Sequence, residues 1–150
     1  MISYVVAFFF ALALAYVLTP LLRKIAIKFE ILDHPVPDLK IHSAPVPYLG
    51  GLAIWLAFIF TLLGVRFLTH FPTGTLRNLR GIFYGGTLIM VLGVIDDIWK
   101  LDYRVKLFGQ FIASLILILY NIRIEFVSNL PLSIILTVFW VVGITNAINI

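Results

Sequence analysis

Five apolar stretches, separated by short polar segments, organise the chain. Residues 2–22 run for 21 positions without a charge, and residues 47–65 for 19 before Arg66. Residues 81–95 make 15 positions between Arg80 and Asp96, residues 107–122 make 16 between Lys106 and Arg123, and residues 126–150 make 25. A helix crossing a bilayer needs about 20 mostly apolar residues, so the pattern predicts five transmembrane helices. The third is short as written: at 1.5 Å per residue it spans roughly 22 Å of a hydrocarbon core of about 30 Å. It is expected to begin near Leu76, with Arg77 and Arg80 snorkelling outward. The fold class is therefore all-α, a polytopic integral membrane helical bundle, with residues 1–150 forming one transmembrane domain. No repeat, low-complexity tract or soluble domain interrupts it.

Composition agrees. The chain is 62% hydrophobic and 12% charged, against about 45–50% apolar and about 25% charged for a soluble domain. A disordered chain is excluded, and a water-soluble globule fits poorly. The net charge of +4 suits anionic headgroups or a phosphorylated substrate better than nucleic acid, which calls for a basic surface. The absence of cysteine excludes disulfides and thiolate zinc sites.

The first stretch reads as a retained span rather than a cleaved signal, because Arg23, Lys24 and Lys28 follow it rather than precede it. That cluster places the C-terminal end of the first helix inside. Helix parity then puts segments 23–46 and 96–106 on the cytoplasmic face, with seven of the eleven Lys and Arg residues, and segments 66–80 and 123–125 outside with four. Six of the seven acids also fall inside. They say little about topology but bear on chemistry.

Three polar constellations stand out. The first is Gly93-Val94-Ile95-Asp96-Asp97-Ile98-Trp99-Lys100. Two carboxylates at a helix C-terminus face its partial negative charge and call for compensation. Lys100 and Arg104 could supply it, which makes the pair an interfacial ornament, or a divalent cation could, since magnesium takes one or two carboxylates with waters and substrate phosphates. The second is Lys40-x-His42-x-x-Pro45-x-Pro47-x-x-Gly50-Gly51. Here a phosphate-suited cation and a proton-transferring imidazole sit in a proline-bounded segment; the bland reading is a solvated loop. The Gly50-Gly51 pair lets a backbone or ligand come close. His34 and His42 lack a third ligand nearby, which disfavours zinc. The third is Asn146-x-x-Asn149, two amides on one helical face that serve either interhelical hydrogen bonding or a ligand. Lys106 and Gln110 make a similar pair at the start of the fourth helix, where interfacial anchoring competes with function.

Convergence strengthens the functional side. Parity brings Asp96, Asp97, Lys40, His42, Lys106 and Asn149 to one membrane face. Carboxylates for a metal, cations for phosphate and amides for orientation are the parts of a phosphoryl-transfer site. Prenyl-chain synthases are disfavoured, because their Asp-Asp-x-x-Asp pattern needs an acid where Lys100 stands. A transporter is a rival from another class, but its ion site should lie near the bilayer midplane rather than at a helix end. A non-catalytic assembly subunit is a third reading.

These segments, in this order, resemble the bacterial polyprenyl-phosphate N-acetylhexosamine-1-phosphate transferases. The likeness rests on Lys40 to Gly51, on Gly93 to Asp97, on Lys106 and Gln110, and on Asn146-Ala147-Ile148-Asn149. It covers roughly residues 20–150. It implies transfer of a sugar 1-phosphate from a UDP-N-acetylhexosamine to undecaprenyl phosphate, with release of UMP, as the first membrane step of an envelope polysaccharide such as O-antigen or teichoic acid. It also implies magnesium, with manganese as a substitute. Asp96 and Asp97 would be the catalytic and metal-binding pair, and Lys40, His42, Lys106, Asn146 and Asn149 would bind substrate. The expected location is the bacterial inner membrane with the site on its cytoplasmic face, in contact with membrane lipid and not with nucleic acid; a second copy of the chain is admitted as a partner. The phospho-MurNAc-pentapeptide branch is the alternative, but Pro47-Tyr48-Leu49-Gly50-Gly51 is closer to the hexosamine branch than to its Pro-Thr-Met-Gly-Gly. There are two departures. Leu39 stands where the family often has a basic residue before the lysine. The family also continues, after Asn-Ala-x-Asn, into further acidic and histidine-bearing segments. The chain is thus expected to be the N-terminal part of a longer enzyme and inactive alone.

Overall fold

The computed structural model describes residues 2–33, 45–68 and 74–148. They form five helices: α1 (Ile2–Lys28), α2 (Gly50–Leu68), α3 (Thr75–Trp99), α4 (Tyr103–Leu119) and α5 (Leu130–Ile148). Between α1 and α2 lie two-residue strands β1 (Leu32–Asp33) and β2 (Val46–Pro47), antiparallel with Leu32 opposite Pro47 and Asp33 opposite Val46. Four helices, α1, α2, α3 and α5, are long and apolar enough to cross a membrane. At 17 residues α4 stands at the lower limit for a span. The chain is an all-α polytopic membrane protein, as its apolar pattern predicts.

Burial is inverted relative to a soluble protein. Buried positions include Ala26, Ala53, Ala57, Ala113, Ser114, Ser133 and Thr137, while Phe8, Phe67, Phe108, Phe139 and Trp140 are exposed. In lipid there is no hydrophobic gain from hiding a large apolar side chain, so small residues take the helix contacts and large ones face the acyl chains.

Helix ends correct the expected boundaries. α1 continues past the apolar run through Arg23, Lys24 and Lys28, carrying Pro20 inside it, so the connecting segment starts later than the hydropathy suggests. It stops at Glu30, whose φ of 57° is left-handed; Ile31 N then donates to Ala26 O at 2.8 Å, the wider closing bond of a Schellman end. α4 starts early because the Asp102 carboxylate caps it, accepting from Arg104 N at 2.8 Å. It ends before Asn121, which takes φ 65°. α5 starts at Leu130 rather than 126, capped by Asn129 Oδ1, which accepts from Leu132 N at 3.0 Å. α3 begins at Thr75, as expected, and Arg77 Nη2 donates to Leu119 O at 3.3 Å, capping the last turn of α4.

The described residues cluster into two compact units, one of Met1–His70 with Gly93–Lys100 and one of Phe71–Leu92 with Leu101–Ile150. In the first, α1 packs along α2 around Leu22, Ala26, Leu49 and Ala53, against which Ile31 and Val94 also rest. In the second, α4 packs along α5, and α3 meets α4 through glycine. A Cβ on Gly81 would lie 2.5 Å from the Cβ of Tyr120, so that site has no room for a larger residue, and one on Gly85 would make a tight contact of 3.3 Å with Ala113 O. The segment before α5 is strapped to that helix: Ser133 Oγ donates to Ile124 O, and Ile124 N donates to Thr137 Oγ1 at 2.9 Å.

Candidate functional site

The acid pair ends α3. Asp96 and Asp97 are half-buried in its last turn. The helix stops after Trp99 because Lys100 turns left-handed, φ 51°, with its N donating to Asp96 O at 2.9 Å. Beyond the neighbourhood with the acids that spacing allows, Lys100 makes a contact distant in sequence. Lys100 Nζ donates to the Tyr48 hydroxyl at 2.8 Å and lies 4.8 Å from the centre of the Tyr48 ring, a cation–π geometry. By accepting that bond, the hydroxyl holds the Lys100 ammonium above its usual pKa. Slight burial works the other way, and the carboxylates of Asp33 and Asp97 add to the upward push.

Tyr48 belongs to the proline-bounded segment. Its N donates to Ile31 O at 3.1 Å, extending the β1–β2 pairing, and Leu49 behind it is buried at φ 72°. Leucine rarely adopts that conformation. Here its carbonyl opens α2, accepting from Ala53 N at 3.1 Å, while its side chain fills the core of the first unit. Val94, two residues before Asp96, rests on the same core. Within this unit the end of the proline segment and the acidic end of α3 are therefore neighbours. Gly50 and Gly51 open α2 with clear space before them: among the described residues, a Cβ on either would meet nothing within 4 Å.

The remaining predicted residues divide. Lys106 and Asn146 lie in the second unit. Lys106 is half-buried in the first turn of α4. Asn146 forms a reciprocal amide pair with the buried Gln110 of α4: its Nδ2 donates to Gln110 Oε1 at 2.6 Å, Gln110 Nε2 donates to Asn146 Oδ1 at 3.4 Å, and Nδ2 also reaches Val142 O at 2.8 Å. Interhelical bonding is thus what Asn146 does in this structure, and Gln110 pairs with it across helices. Lys40, His42 and Asn149 lie outside the described residues. Sequence reasoning missed Tyr48, and an aromatic hydroxyl inside a Pro-x-x-Gly-Gly turn was the available signal. Two cavities, of about 470 Å³ beside Arg77, Asn78 and Asn121 and about 290 Å³ beside Arg123, Glu125 and Ser128, contain none of the predicted site residues.

Among the described residues, no three His, Cys, Asp or Glu side chains gather as a complete metal cage. A pair of carboxylates at a helix end is nonetheless the donor set magnesium uses when phosphates and water complete its shell. Asp96 and Asp97 fit that role.

Fold and site together define a class: a polytopic α-helical membrane protein with an acid pair at a helix end beside a proline-bounded turn. Residues 79–150 match the glycosyl transferase family 4. Over 99% of its length the chain is 33% identical to a Bacillus subtilis protein named a probable undecaprenyl-phosphate N-acetylglucosaminyl 1-phosphate transferase. It is 30% identical, over 93% of its length, to the decaprenyl-phosphate N-acetylglucosaminephosphotransferase of Mycolicibacterium smegmatis. It is 28% identical, over 91%, to the undecaprenyl-phosphate alpha-N-acetylglucosaminyl 1-phosphate transferase of Thermotoga maritima. The chain is thus similar to the glycosyl transferase family 4 over residues 79–150 and to these transferases over nearly its whole length. It spans 42%, 37% and 42% of those three relatives' lengths, in their N-terminal part. No solved structure matches it.

Proposed function

We propose that the protein transfers N-acetylhexosamine 1-phosphate from a UDP-sugar, UDP-N-acetylglucosamine in the first instance, to undecaprenyl phosphate. The products are UMP and a lipid diphosphate sugar. The reading is carried by the juxtaposition, within one unit, of the acidic end of α3 and the Pro47–Gly51 turn. The relatives' names supply the sugar and the lipid. No observation favours the pentapeptide branch.

In the reaction, an oxygen of the lipid phosphate forms a bond to the β-phosphorus of the UDP-sugar, and the bond from that phosphorus to the oxygen bridging to UMP breaks. One carboxylate of the Asp96–Asp97 pair accepts a proton from the lipid phosphate as it attacks. Asp96 and Asp97 would hold magnesium, which when bound supplies charge neutralisation for the leaving UMP. The open backbone at Gly50 and Gly51 gives the diphosphate room to approach. Lys40, His42, Lys106, Asn146 and Asn149 keep, as proposals, the substrate-binding roles that the resemblance gives them. The test is UMP release from UDP-N-acetylglucosamine by the intact protein in membranes, with undecaprenyl phosphate and with magnesium added or chelated. Release that needs both is expected; release indifferent to the lipid phosphate would refute the proposal.

The same proposal puts the site on the cytoplasmic face of a bacterial inner membrane. The protein has no cysteine, so single introduced thiols report sidedness. Arg104→Cys and Ser128→Cys replace exposed residues on opposite sides of the expected topology. In intact cells an impermeant maleimide should label Ser128→Cys and leave Arg104→Cys unlabelled until the cells are opened. Labelling of Arg104→Cys from outside would reverse the orientation.

A further inference from the structure

The Lys100–Tyr48 contact links residues 52 positions apart, and its surroundings are costly to arrange. Lys100 sits at φ 51° and Leu49, beside Tyr48, at φ 72°, both in a region that side-chain-bearing residues avoid. Without the turn at Lys100 its side chain would continue around the helix; with it, the ammonium reaches the Tyr48 hydroxyl at 2.8 Å. Tyr48 is held on its other sides by Ile31 O, which accepts from its N, and by the buried Leu49. Asp33 on β1 and Asp97 on α3 both act on the same ammonium. The lysine is solvent-exposed, and such a contact contributes little to stability. Two strained backbone positions flank an interaction of small energetic worth, which fits a role in geometry better than a role in holding the fold.

We propose that Tyr48 and Lys100 are positioning residues: their hydrogen bond fixes the carboxylates of Asp96 and Asp97 relative to the proline-bounded turn at Pro47–Gly51. The inference rests on the transferase reading for its kinetic consequence but not for its structural one. A helix end that carries reacting groups loses rate when it shifts by a fraction of its reach, even though substrate still binds. The link therefore acts on turnover more than on affinity.

The test is a double-mutant cycle in the intact protein, with Tyr48→Phe, Lys100→Met, both together, and Lys100→Arg. Tyr48→Phe keeps the ring and removes the hydroxyl; Lys100→Met keeps the stem and removes the donor; arginine restores donor and charge. Each single change should lower kcat about tenfold with KM for UDP-N-acetylglucosamine within about twofold. The double variant should be no worse than the poorer single one, because both remove one contact, and Lys100→Arg should recover most of the rate. Amide hydrogen exchange supplies the readout that does not need activity. Tyr48→Phe should speed exchange in the 93–100 peptide, and Lys100→Met in the 46–53 peptide. Independent losses that multiply to about a hundredfold, or a loss from Lys100→Met confined to KM, would overturn the proposal; the second would make Lys100 a direct substrate ligand. Exchange unchanged at the distant peptide would overturn it too. If the wild-type protein transfers nothing, the transferase reading fails, and the exchange measurement alone decides whether the two segments are coupled.

Discussion

Replacing Asp96 and Asp97 together with asparagine should lower turnover of the intact protein by roughly two to four orders of magnitude, the range for loss of a general base or of an electrostatic stabiliser. Each single change should cost a large part of that. Asparagine keeps the shape of the side chain and discards its charge and basicity, so the loss reports chemistry rather than packing. The fold gives an independent check. A carboxylate in the last turn of α3 opposes the helix dipole by a few tenths to about 1 kcal/mol, so removing the charge should leave the unfolding midpoint close to the wild-type value. A stable protein with most of its rate gone is the signature of a functional pair. A double variant at full rate would make the acids interfacial ornament.

Gly51→Ala is expected to separate stability from activity in the same direction. Gly51 lies in the first turn of α2, and among the described residues nothing comes within 4 Å of a Cβ placed there. Alanine costs less than glycine in a helix, by up to about 1 kcal/mol, so the variant should be as stable as the parent or more so. If the diphosphate approaches this backbone, the added methyl stands in its way and turnover should fall by about tenfold or more. Thermal unfolding and UMP release on the same preparation read both effects. Unimpaired turnover would remove Gly51 from the site.

Much of the architecture was legible because lipid imposes a coarse and strict rule. Each span must be apolar for its whole length, so existence and order of the helices followed from residues 2–22, 47–65, 81–95, 107–122 and 126–150. The start of α3 near Leu76 was readable because the 15 apolar residues 81–95 are too few to span, which draws Arg77 and Arg80 into the helix with their long stems reaching outward. Helix ends were less legible, because apolarity marks where lipid stops and not where hydrogen bonding stops. α1 runs on to Lys28 through its basic cluster and ends at Glu30, a residue with no reputation for left-handed backbone. The end of α4 at Asn121 was readable in principle, since asparagine tolerates that conformation.

The site divides along the same line. The acid pair announced itself as charge misplaced against a helix dipole, and the Pro-x-x-Gly-Gly turn as backbone chemistry. Pairings distant in sequence did not. Nothing near Lys100 says that its partner is Tyr48, and local spacing points instead to Asp96. Gln110 reads as a partner of Lys106 on one helix, while the structure gives it to Asn146 on another. Such pairings follow from how helices pack, and periodicity along one chain does not encode them.

The proposed reaction moves phosphorus together with the sugar, and the fate of the β-phosphate distinguishes it from transfer of the sugar alone. UDP-N-acetylglucosamine carrying radioactive phosphorus at the β position is incubated with the intact protein and undecaprenyl phosphate, and organic and aqueous phases are counted separately. A sugar-1-phosphate transferase sends the label into the lipid phase and leaves unlabelled UMP in water. Label remaining in the water as UDP, with sugar in the lipid, would show transfer of the sugar without its phosphate and rule out a sugar-1-phosphate transferase.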